Sequence, residues 1–283
     1  MTSAAPRATL RSLRRLRFGL ATLLGPRPLG FFIPYRYAAS VRPLSYPALE
    51  PTFRAAEPSF WAVMDAVEAH ADALGAIRPG TGPARFDQDW FPRLDAAAAY
   101  ALVRREEPGR IVEIGSGHST RFLVRAVRDA GLPTRITAID PAPRASLAGL
   151  GIDHVPALLA DTDPALFAAL GPGDMLFVDS SHVAMPGSDV DRIVGDVLPR
   201  LPAGVLVHVH DVLLPDPYPP DWAWRGYNEA TVVAALLAGG GPELVFSSHW
   251  VSTRRPDWIA GGALGRIPLV PGARETSLWI RTR

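Results

Sequence analysis

The run Ile111-Val112-Glu113-Ile114-Gly115-Ser116-Gly117-His118-Ser119-Thr120 decides how this chain folds. A short apolar stretch carries one acid, Glu113, two residues before a Gly-x-Gly turn. Phe122, Leu123, Ala126 and Val127 then recur at helical spacing. Strand, glycine turn and helix in that order place bare backbone at a strand's carboxyl end, where a ligand can lie against it.

Outward from this run the chain alternates short apolar strands with helices. Strands are expected at Arg110–Ile114, Arg135–Ile139, His154–Leu159, Met175–Asp179 and Val205–His210. Ser188 with Asp191 resembles a capping box that opens the helix carrying Val190, Ile193, Val194, Val197 and Leu198. Continuous apolar strands separated by helices predict a parallel sheet covered on both faces. Glu243–Ser248 and Thr276–Arg281 are strands with only a Gly/Pro-rich loop expected between them, hence an antiparallel pair. The fold class is α/β, Rossmann-like and seven-stranded. Upstream, helices are expected at Phe60–Leu74 and Leu94–Arg105. Three regions follow: a basic arm at 1–54, a helical part at 55–108 and the α/β domain at 109–283.

Composition narrows the chemistry. There is no Cys among the 283 residues, which excludes disulfides, thiolate metal sites and cysteine nucleophiles. No Lys appears either, so all 29 basic residues are Arg, and a Schiff-base or Walker-type lysine is excluded. The net charge of +1 hides an asymmetry. Residues 1–54 hold nine Arg and one acid, Glu50, for +8, leaving −7 on the rest. An acidic body with one basic end does not read as a nucleic-acid binder. Within the arm, Leu10, Leu13, Leu16, Leu20, Leu23 and Leu24 form one helical stripe over residues 7–24. The stripe suits a membrane-surface helix or a targeting segment, or else a helix docked on its own domain or a frayed terminus. The apolar run Phe18–Leu24 is too short to span a bilayer, which needs roughly 20 residues. A cytoplasmic protein, peripheral to the membrane if the arm meets lipid, is the expected setting.

The acids at the strand ends say what the turn can hold. A dinucleotide fingerprint would put a third glycine at position 120, where this chain has Thr, and Glu113 would repel a diphosphate. A nucleoside bearing positive charge suits the carboxylate better. Glu113, Gly115, Ser116 and Gly117 are expected to contact it. Asp140, closing the next strand, is placed for its ribose hydroxyls, and Asp161 for its base. The fourth and fifth strands end in Asp179-Ser180-Ser181-His182 and His208-Val209-His210-Asp211. Asp179, His182, His210 and Asp211 should converge beside that pocket. They could hold a divalent metal through Asp179 and Asp211, supply a histidine base to an acceptor hydroxyl, or simply cap helices. His208 reads as core. The aromatic stretch PDPYPPDWAWRGY (215–227) is either a lid or a surface loop.

The segments FDQDWFPRLDAAAAY, IVEIGSGHSTRFL, DMLFVDSSHV, GSDVDRIVGDVLPRLPAGVLVHVHD and YPPDW…YNEATVVAALL, in this order between Phe86 and about Trp250, resemble a bacterial class I methyltransferase family of the Methyltransf_24 kind. The resemblance implies a parallel core closed by an antiparallel strand pair. It implies S-adenosylmethionine at Glu113, Gly115, Ser116, Gly117 and Asp140, with Asp179 nearby, and methyl transfer to a small-molecule hydroxyl. Related metal-dependent sugar and catechol O-methyltransferases place acids at the ends of strands four and five. Only Asp179 and Asp211 match that pattern, His210 standing where an acid is often found, so Mg²⁺ or another divalent ion is the optional partner. A non-catalytic S-adenosylmethionine-binding protein and an NAD-dependent oxidoreductase are the rival readings.

Overall fold

The computed structural model describes residues 5–78, 81–143 and 145–283. The chain folds as two compact units, one of residues 1–44 with 217–227, the other of 45–216 with 228–283.

In the first unit, helix α1 (Ala5–Leu24) packs against the short turn Pro220–Arg225. That turn carries an aromatic cluster. The Arg225 guanidinium lies 4.2 Å over the Trp222 ring and 5.1 Å over Tyr227. Among the described residues no helix is long and apolar enough to cross a membrane.

The second unit is built on a seven-stranded sheet: β1 (Arg110–Ile114), β2 (Arg135–Ile139), β3 (Asp153–Val155), β4 (Met175–Val178), β5 (Leu206–Val209), β6 (Glu243–Ser247) and β7 (Leu278–Arg281). The order across the sheet is β3-β2-β1-β4-β5-β7-β6. β1 pairs in parallel with β2 and β4, and only β7 runs antiparallel, against both β5 and β6. This is the parallel core closed by an antiparallel strand pair that the resemblance implies. The strand order reverses between β1 and β4, so their carboxyl ends open the crevice where ligands bind in such sheets. β4 is wholly buried, as a central parallel strand covered on both faces must be.

Four helices matter for the site: α2 (Glu57–Ala69), α3 (Arg93–Glu106), α4 (His118–Ala130) and α5 (Glu229–Ala238). α3 buries ten consecutive residues, Leu94–Val103, five of them Ala, so it can lie close against its neighbours. Two elements differ from the sequence expectation. The third strand is only Asp153–Val155, not His154–Leu159, and Asp161 sits in the turn Leu159–Asp161 that follows. β6 and β7 are joined through helical segments Ser248–Arg254 and Pro256–Ala260, not by a bare loop. Ser247 caps the first of these by accepting the Trp250 N–H at 3.1 Å, and Trp250 is buried beside Phe53, with ring centres 5.5 Å apart. Tertiary burial of one Trp outweighs the weak helical propensity of SHWVSTR.

Candidate active site

The glycine turn is fixed by a contact only glycine tolerates. Gly115 has φ +86, and a Cβ there would come within 2.1 Å of the Asp179 carbonyl oxygen. The first residue after β1 therefore lies against the first residue after β4, with Asp179 N donating to Ile114 O at 2.9 Å. Gly117 is different. A Cβ there would meet nothing within 4 Å, which leaves open space over the backbone where a ligand can approach.

Glu113 does not face that space. It has no exposed surface, and its two oxygens accept the Ser119 and Thr120 hydroxyls at 2.6 and 2.7 Å. Thr120 Oγ1 in turn accepts the Gly117 N–H at 2.9 Å. Burial pushes the Glu113 carboxyl up to about 8 against the opposing pull of those two hydroxyls. The expected ligand contact is thus a buried tie that holds the turn to the first turn of α4. Asp140 is better placed: its Oδ2 accepts the Ser116 hydroxyl at 2.7 Å and its Oδ1 the Ala142 N–H at 2.8 Å, which joins the end of β2 to the turn. Asp161 is exposed.

The second group lies at the ends of β4 and β5. His182 (φ 60) and Asp211 (φ 54) are two of the three non-glycine residues with positive φ among those described, a strain that gathers at functional sites. His182 is the hub. Its Nδ1 is 2.9 Å from Glu229 Oε2, and its Nε2 is 3.3 Å from Asp179 Oδ1 and 3.8 Å from Asp211 Oδ2. Burial opposes the charge on this ring, yet the bonds to Asp179 and Glu229 raise its pKa well above the ordinary value. Both ring nitrogens then donate. Burial likewise opposes ionisation of Asp179, but the His182 bond and the His210 charge hold its carboxyl well below the usual range. Its side chain is 35% exposed, against 11% for Asp211 and 5% for His182, so Asp179 is the member of the group open to a substrate.

His210 is brought to the same place but is held by the fold. Its Nε2 donates to the Trp90 carbonyl at 2.9 Å, and its buried Nδ1 has no partner. Burial opposes its charge, but Asp211, Asp179 and Asp95 together raise its pKa. His208 is core: it stacks on Phe177 at 3.7 Å and shares a 2.8 Å hydrogen bond with Ser277. Among the described residues no group of three or more His, Asp or Glu is arranged to hold a metal ion. The two acids expected to bind one are spanned by a ring nitrogen that donates to Asp179. A protonated His182 adds no lone pair to those two carboxylates.

Three supporting residues were not anticipated. Glu229, in the first turn of α5, is buried against His182. Asp95, fully buried in α3, accepts the Ser277 N–H at 2.9 Å and both of its oxygens face Thr276 N. Glu275 answers by accepting Leu94 N at 2.9 Å, and Thr276 Oγ1 donates to Asp211 Oδ1 at 3.1 Å. A clamp between α3 and the approach to β7 thereby fixes Asp211. Acids in the first turn of a helix are a general pattern, so Glu229 and Asp95 carry no specific signal in the sequence.

Residues 112–212 match the Methyltransf_24 family, described as a methyltransferase domain. This segment is a methyltransferase domain. It runs from β1 to just past Asp211 and so takes in the glycine turn, Asp140, Asp179, His182 and His210. No curated protein matches the chain. Among solved structures it is similar to a methyltransferase of Podospora anserina, PaMTH1, bound to S-adenosylhomocysteine, at 17% identity over 90% of this chain and 99% of that one, with a TM-score of 0.43. It is similar to the O-methyltransferase TomG of Streptomyces achromogenes, involved in tomaymycin synthesis and solved with S-adenosylmethionine, at 24% identity, 63% and 78% coverage and a TM-score of 0.36. An O-methyltransferase of Bacillus cereus in complex with S-adenosylhomocysteine gives 13% identity, 78% and 91% coverage and a TM-score of 0.40.

Proposed function

We propose that the methyltransferase domain moves a methyl group from S-adenosylmethionine to a hydroxyl of a small molecule, without a metal. The observation that carries this reading is the pairing of Ser116 with Asp140 beside the open backbone of Gly117, one strand away from the part-exposed carboxylate of Asp179. Gly117 and Ser116 would hold the donor along the turn, and Asp140 would accept its ribose hydroxyls. Bound there, S-adenosylmethionine supplies an electrophilic methyl group on a cationic sulfur, which Asp140 and Asp179 attract.

Methyl transfer to oxygen is an in-line displacement, so alignment accounts for much of the rate. Asp179 receives the acceptor hydroxyl as a hydrogen bond. The acceptor oxygen forms its bond to carbon while the carbon–sulfur bond breaks, and the hydroxyl turns strongly acidic as it acquires the methyl. A carboxylate then suffices as the proton's destination, and Asp179 takes it. His182, held by Glu229, keeps Asp179 oriented and compensates the negative charge around it. Carboxylates at three sides of one imidazole support such a fixed pair over a histidine that exchanges protons with substrate, because both nitrogens are already engaged.

The test is methyl transfer from isotopically labelled S-adenosylmethionine to a panel of hydroxylated metabolites, with and without a chelator. Labelled ether products formed at the same rate in chelator are expected. Label found only on nitrogen or carbon acceptors, or turnover abolished by chelator and restored by Mg²⁺, would overturn the reading.

A further inference from the structure

We infer that the first unit is a docking surface for an anionic membrane. This stands independently of the methyl-transfer reading. Sixteen large apolar side chains are exposed among the described residues, and thirteen of them fall between Leu13 and Leu44. On α1, Leu13, Leu16, Leu20 and Leu23 are 49–59% exposed and occupy an arc of about 80° at helical spacing. Beyond the helix, Phe31, Phe32 and Ile33 are 60–63% exposed in a segment without regular structure. Monomeric soluble proteins rarely leave so many large apolar side chains of one segment in water.

The charge of the same unit names the occupant. Residues 1–44 contain eight Arg and no acid, and residues 217–227 add one Arg and one Asp, so the unit carries +8. Arg14, Arg15 and Arg17 are exposed on α1, beside the leucine stripe. An amphipathic helix with an apolar stripe and an arginine flank lies in the plane of a membrane interface, its leucines among the acyl chains and its cations among the headgroups. Tyr35 and Tyr37, both exposed, are residues that interfaces favour. A protein partner would need a surface complementary to a convex helix and an open loop together. A fluid bilayer conforms to both, and only an anionic one answers eight net positive charges.

The experiment is vesicle co-sedimentation of the full chain, with size-exclusion light scattering alongside. Two vesicle types are used: phosphatidylcholine alone, and phosphatidylcholine with about one phosphatidylglycerol in three lipids. Binding to the anionic vesicles is expected at low salt, falling as salt rises. Leu16→Glu with Leu20→Glu should weaken it about a hundredfold, as should Arg14→Ala, Arg15→Ala and Arg17→Ala together. Both variants lie within the first unit, so unchanged circular dichroism and thermal melting are expected. Absence of binding to either vesicle, or binding that the leucine variant leaves intact, overturns the proposal. So does a dimer of the wild type that the leucine variant converts to monomer without any vesicle binding, since the stripe would then be an interface between copies of this chain.

Discussion

Glu229 Oε2 stands 2.9 Å from His182 Nδ1 across 47 residues of sequence, and both side chains are buried. One carboxylate thus fixes the ring that faces two others, Asp179 and Asp211. Replacing Glu229 by Gln removes the charge but keeps the shape. A drop of at least about tenfold in kcat is expected with cofactor affinity unchanged, because Asp179 loses its oriented partner. Stability should fall by about 3 kcal/mol, as when one member of a buried ion pair is removed. Steady-state kinetics beside cofactor titration separates the two effects.

Asp140 is expected to act on binding instead. In Asp140→Asn the Kd for S-adenosylmethionine should rise about tenfold to a hundredfold, the range of one or two hydrogen bonds to a charged group. At saturating cofactor kcat should stay within a few-fold of the wild type. Calorimetry and initial rates together check this split.

Gly115→Ala tests the turn itself. The alanine methyl would require φ +86 and would meet the Asp179 carbonyl at 2.1 Å. A loss of about 2–4 kcal/mol in denaturant unfolding is expected, with weakened cofactor binding, since the end of β4 must move.

Glu113 gives the pH dependence a definite sign. Its carboxyl is raised from the ordinary 4.5 to about 8 by burial, so the folded protein keeps a proton that the unfolded chain releases. Stability should therefore fall as pH rises from about 4.5 to 8 and level off beyond. His182 works in the same direction. Its raised pKa contributes stability that is complete below 6.5 and is lost as pH climbs through the folded value. Glu113→Gln should flatten the slope between pH 5 and 8 in thermal melts. An unchanged slope would mean that Glu113 is ionised in the folded state.

Much of this arrangement was legible in the residues. β1 and β2 begin and end where the sequence places them, because each apolar run is bounded by Arg on one side and by Gly or Asp-Pro on the other. β3 is hidden in the sequence because an edge strand of three residues, Asp153-His154-Val155, has no apolar run to reveal it. Glu113 was expected to face the ligand for a physical reason. In a parallel strand buried on both faces, the alternation of side chains marks no outward side. Asp179, His182, His210 and Asp211 do meet, since strand-end residues share one edge of the sheet. Their partners Glu229, Asp95 and the Trp90 carbonyl come from distant helices and loops, and no local pattern encodes such pairings.

The most direct measurement is calorimetric titration of the purified chain with S-adenosylmethionine and, separately, with NAD. Saturable binding of S-adenosylmethionine, weakened in Asp140→Asn, with no heat from NAD, is the outcome expected of a turn built for a cationic nucleoside. Tight NAD binding with no response to S-adenosylmethionine would contradict it.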